Sequence, residues 1–251
     1  MSDNSAHRPP TLSVIIPAFN EAQTIRQVVE AVKEISIDTE IIVVNDGSTD
    51  ETSVTLEQMR NEPKLKILQC KENRGKGHAI RLGLEQVTGQ FVVIQDADLE
   101  LCPKDLIPII GALQKGIAKV VYGSRFLNGR KRASLKTYIA NRMLASFTNL
   151  LYHVRITDEA TCYKAFNTSL IANLNLTAQG FEFCPEVTTK VLRAGYHIHE
   201  VPISYFPRTK GGGKKLQFWR EGIRAGWTLL KYRFAPTSEI LKKNRFCQIK
   251  K

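Results

Sequence analysis

The chain has 251 residues, enough to bury one full α/β core and leave a tail. With 43% hydrophobic and 24% charged residues it has the make-up of an ordinary folded protein, and no window approaches the roughly eighteen apolar residues of a membrane span. The net charge of +12 is unevenly spread: residues 1–120 hold 13 Lys and Arg against 17 Asp and Glu, a net of −4, so residues 121–251 carry +16. Such a field favours an anionic partner, whether a phosphate-bearing substrate, a lipid surface or nucleic acid.

The five cysteines, Cys70, Cys102, Cys162, Cys184 and Cys247, are an odd number with no CxxC pair, which argues against a disulfide framework and a zinc site. His197 and His199 alternate as strand neighbours do and read as structural. MSDNSAHRPP, residues 1–10, has no apolar h-region and reads as a disordered lead-in to a chain that stays in the cytosol.

In chain order, TLSVIIPAF is an apolar run. EAQTIRQVVEAVKEI places Ile25, Val28, Val29 and Val32 at helical spacing, and TEIIVVNDGSTD is a second apolar run closed by turn residues. LKILQC predicts a third strand, GKGHAIRLGLEQV a helix, FVVIQDADL a fourth strand and CPKDLIPIIGALQ a helix. Buried strands alternating with helices predict a mostly parallel, doubly wound sheet, with ligands at the carboxyl ends of its strands.

Three of those ends carry polar groups: Asn20 and Glu21, then Asn45 to Asp50, then Asp96, Asp98 and Glu100. Capping of the next helix accounts for Ser48, Thr49 or Asp50 but leaves Asp46 without a structural task. Carboxylates crowded as in DADLE repel one another unless a cation sits among them, and oxygen ligands of this kind suit Mg²⁺ or Mn²⁺ bridging to a diphosphate.

SVIIPAFNEAQTI, VVNDGSTDET, NRGKGHAIRLGL and VIQDADLE, in this order, resemble the nucleotide-sugar-binding half of family 2 glycosyltransferases with the GT-A fold. YGSRF, TDEATCYKAF, GFEFCPEV and RTKGGGKKL resemble the polyprenyl-phosphate hexosyltransferase branch, and together the eight motifs cover residues 11–216. The resemblance implies that Pro17, Phe19 and Glu21 line the base and ribose pocket, that Asp46 hydrogen-bonds the base and that Lys76 lies beside it. It also implies that Asp96 lies against the nucleoside and diphosphate, while Asp96, Asp98 and Glu100 form the cation site.

In the basic half, RTKGGGKKL sets Arg208, Lys210, Lys214 and Lys215 around three glycines, as a basic loop able to close over a diphosphate or as a plain linker. Gly213 stands where the family usually has serine. Ser124, Arg125 and Arg142 are expected to cradle an acceptor phosphate, with Asp158 orienting the arginines, and Arg130, Lys131 and Arg132 to lie near a lipid headgroup. An ionised phosphate needs no general base; a sugar hydroxyl would, and Asp158 or Glu159 would then serve. In QFWREGIRAGWTLLKYRF, Trp219, Ile223, Trp227, Leu230 and Phe234 share one helix face, to be buried either in a membrane interface or on the protein's own core. Residues 217–234 are thus an amphipathic helix, and residues 235–251, with 5 Lys and Arg and one Glu, a flexible tail able to touch anionic lipid.

The expectation is a single GT-A domain, Rossmann-like and α/β. It would be metal-dependent and inverting, moving mannose or glucose from a GDP- or UDP-sugar to polyprenyl phosphate at the cytosolic membrane face. A separate membrane protein could recruit it. No helix-turn-helix or RNA-binding signature is present, so nucleic acid is not an expected partner.

Overall fold

The computed structural model describes residues 10–127, 135–208 and 215–242. Seven strands form one sheet: β1 (Leu12–Ala18), β2 (Thr39–Asn45), β3 (Leu65–Gln69), β4 (Phe91–Ile94), β5 (Val120–Ser124), β6 (Lys164–Asn167) and β7 (His199–Pro202), in the order β3-β2-β1-β4-β6-β5-β7. Pairing is parallel except where β6 runs antiparallel to both β4 and β5. The doubly wound, mostly parallel expectation therefore holds, with one reversed strand at the middle.

Each crossover helix forms for a reason visible in its residues. Helix α1 (Ile25–Lys33) buries Ile25, Val28, Val29 and Val32, the stripe its spacing predicts. Helices α2 (Thr52–Gln58), α3 (Lys76–Leu84) and α4 (Leu106–Gln114) complete the first half. Strands β1 and β2 are buried almost throughout, as covering on both faces requires. Helix α3 starts at Gly75, whose φ of +102° suits glycine and whose absent Cβ would meet the Gln179 carbonyl oxygen at 2.6 Å.

The second half holds α5 (Leu135–Tyr152), α6 (Thr168–Asn173), α7 (Phe183–Arg193), α8 (Lys215–Phe234) and α9 (Thr237–Ile240). Helix α7 is core despite its polar letters: Glu186 and Lys190 form a fully buried ion pair at 2.8 Å, and the Tyr232 hydroxyl of α8 donates to Glu186 at 3.0 Å. Arg193 donates to the carbonyls of Tyr232, Arg233 and Ala235 and so closes the C-terminus of α8.

The outward face of α8 carries Ile223, Trp227, Leu230 and Phe234, with Trp227 65% exposed, while Ala225, Leu229 and Tyr232 turn to the core. Of the two alternatives the sequence left open for this face, packing on the protein's own core is not what its described residues do. Helix α5, against which α8 packs, adds exposed Leu135, Ile139, Met143 and Leu150. An apolar groove of about 480 Å³ runs along α5 between Tyr138 and Leu150, with Arg142 in its wall. No helix among the described residues is long and apolar enough to cross a membrane.

Residues 235–242, expected to begin a flexible tail, instead fold back. They form α9, Leu241 bridges Leu174, and Asn175 N–H donates to the Ile240 carbonyl at 2.9 Å. Arg130, Lys131, Arg132, Lys210, Gly213, Lys214 and the tail from 243 lie outside the described residues, and for Lys215 and Trp219 only the backbone, in α8, is described.

Candidate active site

The carboxyl ends of β1, β2 and β4 meet at one edge, and their loops lock together. Asn20 N–H donates to Ser48 Oγ at 3.0 Å, Thr49 N–H to Asn20 Oδ1 at 2.8 Å and Ala22 N–H to Asp50 Oδ2 at 3.2 Å. Ser48, Thr49 and Asp50 therefore brace the β1–α1 loop, and Asp50 also caps the first turn of α2 as expected, its Oδ1 accepting from Thr52 N–H at 3.0 Å. Phe19, 43% exposed, and half-buried Pro17 and Glu21 stand at the end of β1.

Asp46 does have a structural task. Its nearly buried carboxylate accepts from the backbone N–H groups of Arg74, at 3.2 Å, and Gly75, at 2.7 Å, and so builds the turn that presents Lys76. Gly47, at φ +68°, makes this possible, because a Cβ there would lie 2.4 Å from the Glu72 carbonyl carbon. Asp46, Cys70 and His78 also bring three donor atoms within 4.8 Å of one another at the β2–β3 side of the crevice. This mixed oxygen, sulfur and nitrogen set is apart from the cluster of DADLE.

Lys76, expected beside the base, reaches across the sheet edge instead and forms an ion pair with Asp96. Burial alone would raise the Asp96 pKa, but the Lys76 ammonium outweighs it and holds the carboxyl below its usual range. Asp96, expected among the cation ligands, is thus already neutralised. Asp98 differs: burial, then the charges of Asp96 and Glu100, push its pKa up to about 6.

Among the described residues the cation paired with Asp98 is Arg208, whose Nη2 lies 3.7 Å from Asp98 Oδ2 and 2.6 Å from Glu21 Oε2. Glu100 N–H donates to Asp98 Oδ1 at 3.1 Å, and Glu100 Oε1 accepts from Arg208 N–H at 3.1 Å. A poorly compensated carboxylate beside a second one, faced by a mobile-type side chain rather than a buried partner, fits a divalent cation. Asp98 and Glu100 are the residues that could hold it.

The other end of the crevice is arginine-rich. Asp158, fully buried, accepts from Arg125 Nε at 2.7 Å, Nη2 at 2.8 Å and backbone N–H at 3.0 Å. Burial works against the Arg125 charge, and Asp158 more than restores it, raising the guanidinium pKa. Rings of Phe126 and Tyr205 flank that guanidinium at 5.3 and 5.4 Å. Arg142 approaches the same turn, its Nη1 lying 3.5 Å from the Thr157 carbonyl.

One expectation is corrected here. Ser124 is 1% exposed and its hydroxyl is 2.6 Å from Thr157 Oγ1, so it supports the turn behind Arg125 and does not face an acceptor phosphate. Glu159, the other candidate base of the hydroxyl-acceptor alternative, is fully buried, and Asp158 is spent on Arg125. Sequence reasoning missed Thr157, Tyr205 and Glu200, which nothing local in the sequence marks.

The sequence model of glycosyl transferase family 2 matches residues 13–174. The chain belongs to that family. It is 28% identical to the low-salt glycan biosynthesis hexosyltransferase Agl6 of Haloferax volcanii over 86% of this chain and 52% of that protein. It is 28% identical to the dolichyl-phosphate beta-glucosyltransferase of Saccharomyces cerevisiae, over 94% and 78%. With the dodecaprenyl-phosphate galacturonate synthase of Rhizobium johnstonii it shares 26% identity over 81% and 61%. The chain thus spans about half the length of the first of these relatives.

Among solved structures, glucosyl-3-phosphoglycerate synthase of Mycobacterium tuberculosis, in complex with Mn²⁺, UDP and glucosyl-3-phosphoglycerate, matches with a TM-score of 0.69 at 20% identity. The match covers 90% of this chain and 81% of that one. That likeness shows a shared GT-A fold.

Proposed function

We propose that this family 2 glycosyltransferase moves one hexose from a nucleotide diphosphate sugar to a polyprenyl phosphate at the cytosolic face of a membrane, with inversion at the sugar carbon. The observation that carries the acceptor half is the Asp158–Arg125 clamp beside Arg142. It would hold guanidinium groups ready for a phosphate, while of the two candidate bases Asp158 is committed to Arg125 and Glu159 is fully buried. Relatives named for dolichyl-phosphate and dodecaprenyl-phosphate chemistry support the same reading.

On the donor side, Pro17, Phe19 and Glu21 would line the nucleoside pocket, Asp46 would reach the base, and Lys76 with Asp96 would lie against the ribose and diphosphate. A divalent cation, Mg²⁺ or Mn²⁺, held by Asp98 and Glu100 would neutralise the leaving diphosphate. Arg208, Lys214 and Lys215 would add positive charge over the same group as the loop closes. Asp158 takes the Nε–Nη2 edge of Arg125, so an acceptor phosphate would meet the remaining edge together with Arg142.

The phosphate oxygen attacks the anomeric carbon from the side opposite the diphosphate, its bond forming as the carbon–oxygen bond to the diphosphate breaks. The electron pair leaves with the diphosphate, and no proton changes hands. The exposed apolar residues of α5 and α8, with Arg224, Lys231 and Arg233 alongside, would rest on the anionic membrane surface that presents the lipid. In this division residues 11–216 form the catalytic domain and 217–234 its interfacial helix. A separate membrane-protein partner is a further element of the proposal.

The test is product identification by mass spectrometry from a panel of GDP- and UDP-hexoses, with Mn²⁺ or EDTA and with or without undecaprenyl phosphate. A lipid-phosphate-hexose formed only with metal is the expected result. Sugar release that ignores the lipid would overturn the acceptor half.

A further inference from the structure

Three groups on the acceptor side, Ser124, Arg125 and Arg142, come from two separate elements, yet all are tied to one two-residue turn, Thr157–Asp158. Asp158 fixes the Arg125 guanidinium through two hydrogen bonds, at 2.7 and 2.8 Å. Thr157 holds Ser124 through its hydroxyl and approaches Arg142 through its carbonyl. The turn itself is irregular chain, lying between α5 and β6 with no ladder to hold it.

What holds it is Glu200, on β7. Its Oε2 accepts from Thr157 N–H at 2.8 Å and from Thr157 Oγ1 at 2.9 Å, and its Oε1 accepts from Asp158 N–H at 3.0 Å. Both backbone donors of the turn are therefore satisfied by one carboxylate. Because the Thr157 hydroxyl gives its proton to Glu200, the short contact to Ser124 must be donated by Ser124, which in turn accepts from Phe126 N–H at 3.2 Å. The direction of the whole chain is set by the acceptor-only carboxylate at its end.

Glu200 is placed for this by the sheet. It pairs in register with Tyr122 on β5, two residues before Ser124 and three before Arg125. A rigid strand thus sets the distance between the turn that carries Asp158 and the strand end that carries Arg125. Burial of such a carboxylate is unfavourable by itself, and no Lys or Arg forms an ion pair with it among the described residues. The three donors of the turn are its compensation.

We infer that Glu200 is a positioning residue for the acceptor: through the Thr157–Asp158 turn it sets the orientation of Arg125 and hence the affinity for the acceptor's phosphate, without touching either substrate. This rests on the acceptor reading proposed above. An amide at this position keeps the size of the side chain but sets an NH₂ group against one of the donors of the turn, so one arm of the brace must open.

The experiment measures acceptor KM, kcat and donor-nucleotide Kd for wild type, Glu200→Gln, Asp158→Asn and the double variant, with undecaprenyl phosphate as acceptor. Glu200→Gln is expected to raise acceptor KM about tenfold while nucleotide affinity stays within about twofold of wild type. In the Asp158→Asn background the same change should add little, because both act on Arg125. An unchanged acceptor KM, or effects that multiply in the double variant, would overturn the inference. Should Glu200→Gln fail to fold, Thr157→Val opens one arm alone, and a rise of about threefold in acceptor KM is expected, no rise counting against the proposal. A wild-type enzyme that makes no lipid-linked product would instead bring down the acceptor reading.

Discussion

At the ends of β1, β2 and β4 carboxylates gather around Lys76 and Arg208, whereas beside β5 the Arg125 guanidinium is clamped by a buried carboxylate with Arg142 near the same turn. The two ends share a crevice but are compensated differently. Arg125 is clamped by a fully buried Asp158 and held charged. Among the described residues Asp98 has a backbone N–H at 3.1 Å and a cation at 3.7 Å, and it is held partly against its own ionisation. The proposed acceptor end is preorganised as folded; the proposed donor end is left electrostatically incomplete, as a site that takes up a cation with its substrate would be.

The sharpest way to break this comparison is at Asp98. Asp98→Asn is expected to lower metal-dependent transfer by about a thousandfold, read as kcat/KM, because the cation loses its main ligand. The same change should stabilise the fold. A carboxyl whose pKa is raised from 3.8 to about 6 gives stability that is full below its unfolded value and lost as pH rises through about 6. At pH about 8 the variant should therefore be more stable than wild type by roughly 1–3 kcal/mol, and at pH below about 4 the two should coincide, as denaturant melts will report.

Next in size, Asp158→Asn should cut kcat/KM for the lipid acceptor by about a hundredfold with nucleotide binding intact, since a buried guanidinium loses its partner and its orientation. Loss on the donor side instead would erase the distinction between the two ends. Arg208→Ala should slow turnover by about tenfold with little change in ground-state nucleotide affinity, a split that steady-state kinetics and direct nucleotide titration separate. Smallest, Trp227→Ala should weaken binding to anionic vesicles a few-fold while leaving Tm in place, because the side chain is 65% exposed.

The first half of the molecule was legible because its physics is local. Ile25, Val28, Val29 and Val32 are the predicted stripe, and apolar runs closed by turn residues became β1, β2 and β4. Asp46 shows where this stopped: its backbone donors lie 28 and 29 residues away, so a structural task was invisible in NDGSTD. Lys76 was found as a residue but not as the partner of Asp96, since the contact spans two elements.

The second half hid more. Helix α5 was not read at all, because most of its large apolar residues face outward and no core stripe marks it. Helix α7 buries Glu186 and Lys190 as a pair, so its polar letters disguise a core element. For α8 the periodicity gave the helix and its apolar face, but which way that face turns depended on Leu229 and Tyr232 winning the core contact. Glu200 escaped because its three donors lie 42 and 43 residues upstream.

The most direct test of the central claim compares two acceptors of equal chain length, polyprenyl phosphate and the corresponding polyprenol, under identical donor and metal conditions. The account predicts transfer to the phosphate alone, because Arg125 and Arg142 would receive an anion, Asp158 is committed to Arg125 and Glu159 is fully buried. Comparable transfer to the alcohol would contradict it.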